Sequence, residues 1–535
     1  MQKQSSEEPS LIQTLRWGGL QQERRSYADT MFVSTGRRIY LLGDIDGRFR
    51  PRSNPYDLYA LGHARPGDPL ADKLQGVWAQ PVRGFNRYGY TFAWGGETWT
   101  LDDARRFTQT FASVQFDYQR GPLAAVRQDF AALDLPLVIT SLVVSNTGSA
   151  PLDVQLIFDC QFDLADAEFT RLGPERNTGQ TVELVSDRLV ARSRVAPERW
   201  AAAAAGWRAP DAARVQEGSM GELVYHLHLA PRTEETFVFG LAVECTGGPM
   251  AALATVADGL ARHSALLAER QALYDHLFAR GPHFTSPDPA LNAAFELARA
   301  NLQVLEAEQP ELGRYFYAGL ELFPFWFSDD GAYSMAGLFA SGFTSTALNH
   351  IRIGLENLEA QGRVPHQISP SGKVAFSGNA QETPLWVMSI WEAYRWTGDR
   401  DFLAAMYPGA LKGMFDYTLG TIDPDGDGYP SGPGMVEVEG MGPEKLDTAA
   451  YTWSALIALA EMAAVLGDAA NAQKARSRAD TLAARFDAVW WSQPDGTYAM
   501  SLTEPGNVRY PVSHWAVIVP LEVGLATPEH AAQTF

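Results

Sequence analysis

Up to about residue 246, apolar positions come in short runs separated by turns. The clearest stretch is PLVITSLVVSNTGSAPLDVQLIFDCQFDL. It holds a β-branched run from Leu137 to Val144, a turn at Asn146-Thr147-Gly148, and then alternation of Val154, Leu156 and Phe158. ETFVFGLAVEC at 235–245 reads as a buried strand, and MFVSTGRRIYLLGD and RYGYTFAWGGETWTLDD fit hairpins. The pattern predicts an antiparallel β-sandwich. ERWAAAAAGWRAPDAARV at 198–215 breaks it, and its alanines predict a loop with a short helix inserted in the sheet.

From Met250 the period lengthens. AALATVADGLARHSALLAERQALYDHLFARG carries apolar residues at helical spacing until Gly281-Pro282 stops it, which predicts a linker helix. Seven further helical patterns follow, with long loops rich in Gly, Pro and aromatics after every second one. Such alternation predicts an all-α toroid of helical hairpins with the long loops on one face. A ring of six hairpins needs twelve helices, so seven patterns and an eighth starting at TPEHAAQTF predict a toroid incomplete at its C-terminus. The expected domains are a β-sandwich over 1–248, a linker helix over 249–282 and a truncated helical domain over 283–535.

Composition narrows the partners. A chain of 535 residues exceeds one ordinary core. Its 46 % hydrophobic and 20 % charged residues exclude a disordered chain. With 63 acidic against 43 basic residues and a net charge of -20, a phosphate-tracking surface, and so nucleic acid, is not expected. No basic segment followed by an apolar run opens the chain, and no stretch reads as long and apolar enough to cross a membrane, so the expected location is the cytoplasm. Cys160 and Cys245 lie in strand-like runs and read as buried thiols. The 14 Trp, 19 Tyr and 27 Phe fill cores or, beside Gly, Pro and carboxylates in loops, offer flat faces to sugar rings.

The candidate chemistry is carboxylic. Glu437, between Met435-Val436 and Val438, has the apolar company that raises a carboxyl pKa and suits a general acid. Glu437 and Glu439 also alternate with valines, as solvent-facing residues of a short strand would. Glu382 opens a helix at Thr383-Pro384, either as a reacting carboxylate or as a first-turn acid favoured by the helix dipole. Asp329 and Asp330, just before Gly331, read as N-cap residues of the following helix. Asp447 supports a helix start. Asp423, Asp425 and Asp427 alternate as in a calcium loop, yet Gly434 stands where an EF-hand has its bidentate Glu, so a turn is expected and no metal is assigned. His350 and His366 lack zinc spacing.

In their order, FWFSDDGAYSMAGLF, GRVPHQISPSG, NAQETPLWVMSIWEAYRWTGD and DPDGDGYPSGPGMVEVEGMG resemble the six-hairpin (α/α)6 glycosidases, nearest to the glycogen-debranching (amylo-alpha-1,6-glucosidase) branch. The resemblance covers the second half of the chain well and the first only in general character. It implies an inverting hydrolase of alpha-linked glucosides in an oligosaccharide or polysaccharide, using two carboxylates and no cofactor. Trp326 and Asp329 fall on a Trp-Gly-Arg-Asp run at the innermost sugar subsite, with Phe327 and Ser328 replacing Gly and Arg. Glu382 falls on an Asp implicated in catalysis, and Glu437 on the general acid of a Ser-Gly-x-Asp turn in related trehalases and alpha-glucosidases. Glu437 is thereby the expected acid and Glu382 the expected base, with Trp326, Asp329, Asp330, His366, Gln367, Trp386 and Glu439 binding substrate. The alternatives are another glycoside such as a rhamnoside, or carbohydrate binding without catalysis. Phosphorolysis is disfavoured because residues 421–451 offer only Lys445 to a phosphate.

Overall fold

The run Leu137–Asn146 is apolar almost throughout because both of its faces are covered. Val138, Leu142 and Val144 enter the core between two sheets, while Leu137 and Ile139 pack beneath a helix. The computed structural model describes residues 20–23, 31–49, 75–166, 179–216, 219–320, 323–436, 438, 440–503, 508–509 and 514–535. The chain divides into two units, one of Met1–Glu311 with Gly319–Pro324 and one of Leu312–Ala318 with Phe325–Phe535.

The first unit holds two antiparallel sheets. One orders its strands Leu20–Glu23, Arg106–Gln109, Val114–Arg120, Leu123–Ala131, Leu137–Asn146, Glu234–Glu244, Ala201–Gly206, Arg188–Ser193 and Gln180–Val185. The other runs Ala212–Gln216, Met220–Leu229, Leu152–Asp166, Val82–Trp94, Gly76–Ala79, Tyr40–Asp44 and Met31–Thr35, with Glu97–Thr100 paired to Val82–Trp94. Their facing side chains, among them Phe158, Phe239, Tyr90 and Tyr225, form the core of a β-sandwich. Helix α1 (Gly248–Ala279) packs on the outer face of the first sheet, and α2 (Pro289–Leu305) follows it. Within this core Arg127 and Asp129 are both fully buried. Asp129 Oδ2 accepts hydrogen bonds from Arg127 Nε at 2.9 Å and from the Tyr88 hydroxyl at 2.8 Å, while Arg127 Nη1 donates to the Gly47 carbonyl at 3.0 Å.

The alanine run corrects the sequence expectation. Ala201–Gly206 is a strand paired with Leu189–Arg192 on one side and Phe239–Glu244 on the other. Ala201, Ala203 and Ala205 meet Ala252, Leu253 and Val256 of α1, whereas Ala202 and Ala204 face the inter-sheet core. Alanine is the best helix former. Here the small side chain is what lets a helix lie close over a strand covered on both faces, and packing outweighs propensity.

The second unit is built of helical hairpins. Three pairs succeed one another: α3 (Ser328–Ala340) with α4 (Thr344–Glu356), α5 (Glu382–Thr397) with α6 (Arg400–Lys412), and α7 (Leu446–Leu466) with α8 (Ala469–Trp490). α3, α5 and α7 pack side by side as an inner layer, each flanked by its outer partner, and a short helix α9 (Val519–Glu522) packs against α7. The turns within two hairpins share a mechanism. Gly398 and Gly467 end α5 and α7 with φ of 65° and 86°, and Asp399 and Asp468 then cap α6 and α8 by accepting the N–H groups of Phe402 and Asn471. The sequence Gly-Asp thus turns the chain in two residues. Between hairpins the connections are long, 357–381 and 419–445. Because each short turn reverses direction, the three inner helices all begin at the end where the long connections lie.

One expectation needs correction here. By length and composition α7 is apolar enough to cross a membrane. Its place in the inner layer accounts for that composition, since residues such as Leu446, Tyr451, Leu456, Leu459 and Met462 are buried against neighbouring helices.

Candidate active site

Each inner helix opens with carboxylates: Asp329 and Asp330 on α3, Glu382 on α5 and Asp447 on α7. Helix N-termini favour negative charge, and the parallel inner layer brings these first turns to one end of the unit.

His366 joins two of them. The strand Gln367–Ile368 pairs with Trp326–Phe327, and the Ser328 N–H donates to the His366 carbonyl at 3.1 Å, which fixes the imidazole between the starts of α3 and α5. Nδ1 lies 2.7 Å from Glu382 Oε1 and 3.7 Å from Asp329 Oδ1. The rings of Phe327 and Phe376 stand edge-on to it at 4.9 and 5.3 Å. Burial alone would lower the His366 pKa, but the hydrogen bond to Glu382 and the charges of Asp329, Glu382 and Asp330 raise it. Burial raises Asp329 in spite of the nearby imidazole. Desolvation, then the Asp329 charge, pushes Asp330 up to about 6. The site thus holds carboxyl groups that stay protonated closer to neutrality than usual, next to an imidazole that keeps its proton longer.

Glu382 has no exposed surface. Gln381 Nε2 donates to Oε1 at 3.1 Å, and Oε2 has no hydrogen-bond partner among the described residues. It lies 3.4 Å from where a Cβ of Gly378 would stand, and Gly378 has a φ of +112° that only glycine takes readily. Glu382, expected as the base, is enclosed, and its contact toward the surface is the part-exposed His366. The ligand atoms of Asp329, His366 and Glu382 lie within 4.8 Å of one another, close enough for a metal; within the trio His366 Nδ1 and Glu382 Oε1 are at hydrogen-bond distance, whereas Asp329 Oδ1 is not.

Asp447 acts on the neighbouring loop. It is 2 % exposed, and its Oδ2 accepts the Met435 N–H at 2.7 Å while Oδ1 accepts the Thr448 N–H at 2.9 Å. A Cβ at Gly434 would come within 2.9 Å of Asp447 Oδ1, so the main chain approaches as closely as glycine allows. Glu437 and Glu439 lie outside the described residues, two and four positions beyond this anchor.

The two tryptophans expected to line the pocket are placed in the core. Trp326 is fully buried and donates from Nε1 to the His350 carbonyl at 2.9 Å; Trp386 donates to the Ile351 carbonyl at 2.9 Å. Gly354 of α4 and Gly409 of α6 leave the slot that the Trp386 ring fills. Gln367 is half-buried beside His366. His350 is structural: Nε2 donates to the Phe327 carbonyl at 3.0 Å, Nδ1 accepts from the Phe316 N–H, and burial lowers its pKa to about 4. A Cβ at Gly331 would overlap His350 Nε2. Gly331→Ala is therefore expected to destabilise by about 1–3 kcal/mol through overpacking, measured as a lower urea midpoint.

Sequence reasoning missed Tyr333. It lies four residues after Asp329 on α3, is 43 % exposed, stands edge-on to Tyr451 at 6.0 Å, and feels the charges of Glu522, Asp447 and Asp329. The i, i+4 spacing from Asp329 was the available signal.

The second unit is thus a layer of three parallel inner helices whose first-turn carboxylates gather at the end where the long loops lie. Residues 324–534 match the family model described as the bacterial alpha-L-rhamnosidase 6 hairpin glycosidase domain. No curated protein matches the chain. Among solved structures, a bacterial glucoamylase complexed with acarbose superimposes with a TM-score of 0.61 at 11 % identity, over 96 % of this chain and 79 % of that one. A putative kojibiose phosphorylase from human microbiome gives 0.56 at 9 % identity, over 80 % of this chain and 62 % of that one, so the chain spans less than two thirds of that relative's length. The second unit is a six-hairpin glycosidase domain, preceded by an N-terminal β-sandwich.

Proposed function

We propose that the chain is an inverting glycoside hydrolase that removes alpha-linked glucosyl residues from an oligosaccharide or polysaccharide. The observation that carries this reading is the gathering of Asp329, Glu382 and Asp447 at the starts of three adjacent inner helices. Cleavage without a metal needs a protonated carboxyl at the leaving oxygen and an ionised one across the ring, about 6.5–9.5 Å apart for inversion. Glu437, on the loop anchored by Asp447, is the proposed acid. Asp329 and Asp330 accept hydrogen bonds from sugar hydroxyls, and Glu382, hydrogen-bonded to His366, is the proposed base that takes the proton of the attacking water. Tyr333 gives the sugar a partly exposed aromatic face. The alpha-glucoside assignment rests on the debranching-like order of the motifs and agrees with the glucoamylase likeness.

A second reading, an alpha-L-rhamnoside substrate, is favoured by the description of the matching family model. Parallel assays on an alpha-glucoside and an alpha-L-rhamnoside, with the product anomer followed by proton NMR, separate the two. The expected result is glucose released as the β-anomer. Turnover of the rhamnoside alone would transfer the assignment, and binding of both sugars without turnover would leave a carbohydrate-binding protein.

A further inference from the structure

The run Asp423-Pro-Asp-Gly-Asp-Gly-Tyr429 takes no part in the reaction proposed above. Oxygens of Asp423, Asp425 and Asp427 lie within 4.8 Å of one another. Gly426 and Gly428, with φ of +74° and +94°, bend the chain around them. One oxygen of each carboxylate is held by main chain: Asp423 Oδ2 accepts the Gly428 N–H at 3.1 Å, Asp425 Oδ1 the Asp427 N–H at 3.3 Å, and Asp427 Oδ1 the Tyr429 N–H at 2.9 Å. Arg485 Nη2 lies 3.7 Å from Asp427 Oδ2 and offsets one of the three charges.

Asp423 supplies an independent observation. The residue is only 6 % exposed, and among the described residues no N–H or hydroxyl donates to its buried Oδ1, which has only the neighbouring Asp425 carboxylate for company. A buried carboxylate oxygen with an open lone pair and two like charges beside it is costly unless something positive meets it.

We infer that this loop is a binding site for a divalent cation of the calcium type, seated among Asp423, Asp425 and Asp427. An all-oxygen, carboxylate-rich set selects a hard cation over zinc or copper. Calcium accepts six to eight oxygens in flexible geometry, whereas magnesium demands a strict octahedron. Three ligands come from the carboxylates; water and main-chain carbonyls complete the shell. Gly434 stands where an EF-hand places its bidentate Glu, so affinity falls in the weak class, with Kd about 10⁻⁴–10⁻³ M. The cation also has a structural role. Just past the loop, the Ser431 N–H donates to the Ile422 carbonyl at 2.6 Å and Gly432 N–H to the Pro443 carbonyl at 2.8 Å, closing the base of the segment that carries Glu437. A bound ion would stiffen that base.

Terbium luminescence tests the site, because Tyr429 adjoins the carboxylates and its ring lies 5.5 Å from Trp490, giving two antennae. In chelator-treated protein, Tb³⁺ is expected to give saturable sensitised emission that Ca²⁺ displaces and Mg²⁺ displaces poorly. Ca²⁺ should also raise the thermal midpoint. Asp425 is exposed, so Asp425→Asn is expected to fold with an unchanged circular dichroism spectrum, to bind Tb³⁺ at least about tenfold more weakly, and to lose the Ca²⁺-dependent rise in Tm. Emission that Ca²⁺ fails to displace, or that Asp425→Asn leaves unchanged, would overturn the assignment, as would a Tm indifferent to Ca²⁺ in the unaltered protein. Loss of hydrolytic activity plays no part in the readout, so failure of the proposed function would leave this test intact.

Discussion

Glu437→Gln is expected to lower kcat by about 10²–10⁴-fold on a glycoside with a sugar leaving group, and far less on an aryl glycoside. A sugar alkoxide cannot depart without a proton, whereas a nitrophenolate can, so the contrast between substrates isolates the general acid. An amide fills the same space but has no carboxyl proton to give. The expectation is supported by the framing of the loop around it. Ala380 N–H donates to the Pro433 carbonyl at 2.9 Å, Met435 N–H to Asp447 at 2.7 Å, and Gly442 N–H to Ser501 Oγ at 2.8 Å. Segments on both sides of Glu437 are thus held to the unit that bears the other carboxylates. Equal losses on both substrates would assign Glu437 to binding, and no loss would remove it from the chemistry.

In the first unit, Asp129→Ala is expected to cost about 3–5 kcal/mol, because it leaves a buried guanidinium without its partner. Arg127 has no exposed surface and lies over the rings of Tyr88 and Phe116, at 4.7 and 4.9 Å. The Tyr88 hydroxyl loses its acceptor in the same step. Urea denaturation followed by circular dichroism reads the loss as a lowered midpoint. The pair Arg127→Met with Asp129→Leu is expected to recover much of it, since replacing a whole buried ion pair by packed apolar groups is often nearly neutral. A single variant as stable as the parent would show that water reaches Arg127.

How much of this was legible in the sequence depended on whether the signal was local. Period-two alternation around Val154 and Phe158 and the change of period after Met250 are carried by adjacent residues, and they gave both halves of the fold. Ala201–Ala205 misled because its strand conformation is imposed from outside, by α1 on one face and the opposite sheet on the other. Trp326 and Trp386 misled for a related reason: an indole reads the same in sequence whether it lines a groove or fills a slot left by Gly354 and Gly409. In the candidate site, the first-turn acids were visible one helix at a time. The hydrogen bond between His366 and Glu382 was not, since it depends on how the 357–381 connection folds back between two helix starts.

The unequal connections of the second unit also bear on how such a protein can diversify. At one end, two-residue Gly-Asp turns tolerate little change, because each fixes the end of one helix and the beginning of the next. At the other, 357–381 and 419–445 have room to vary in length and composition while the helices beneath keep their packing. New substrate preferences can therefore arise by rewriting connectors alone, and lineages with the same barrel can part company over the sugar they accept without any intermediate having to fold differently.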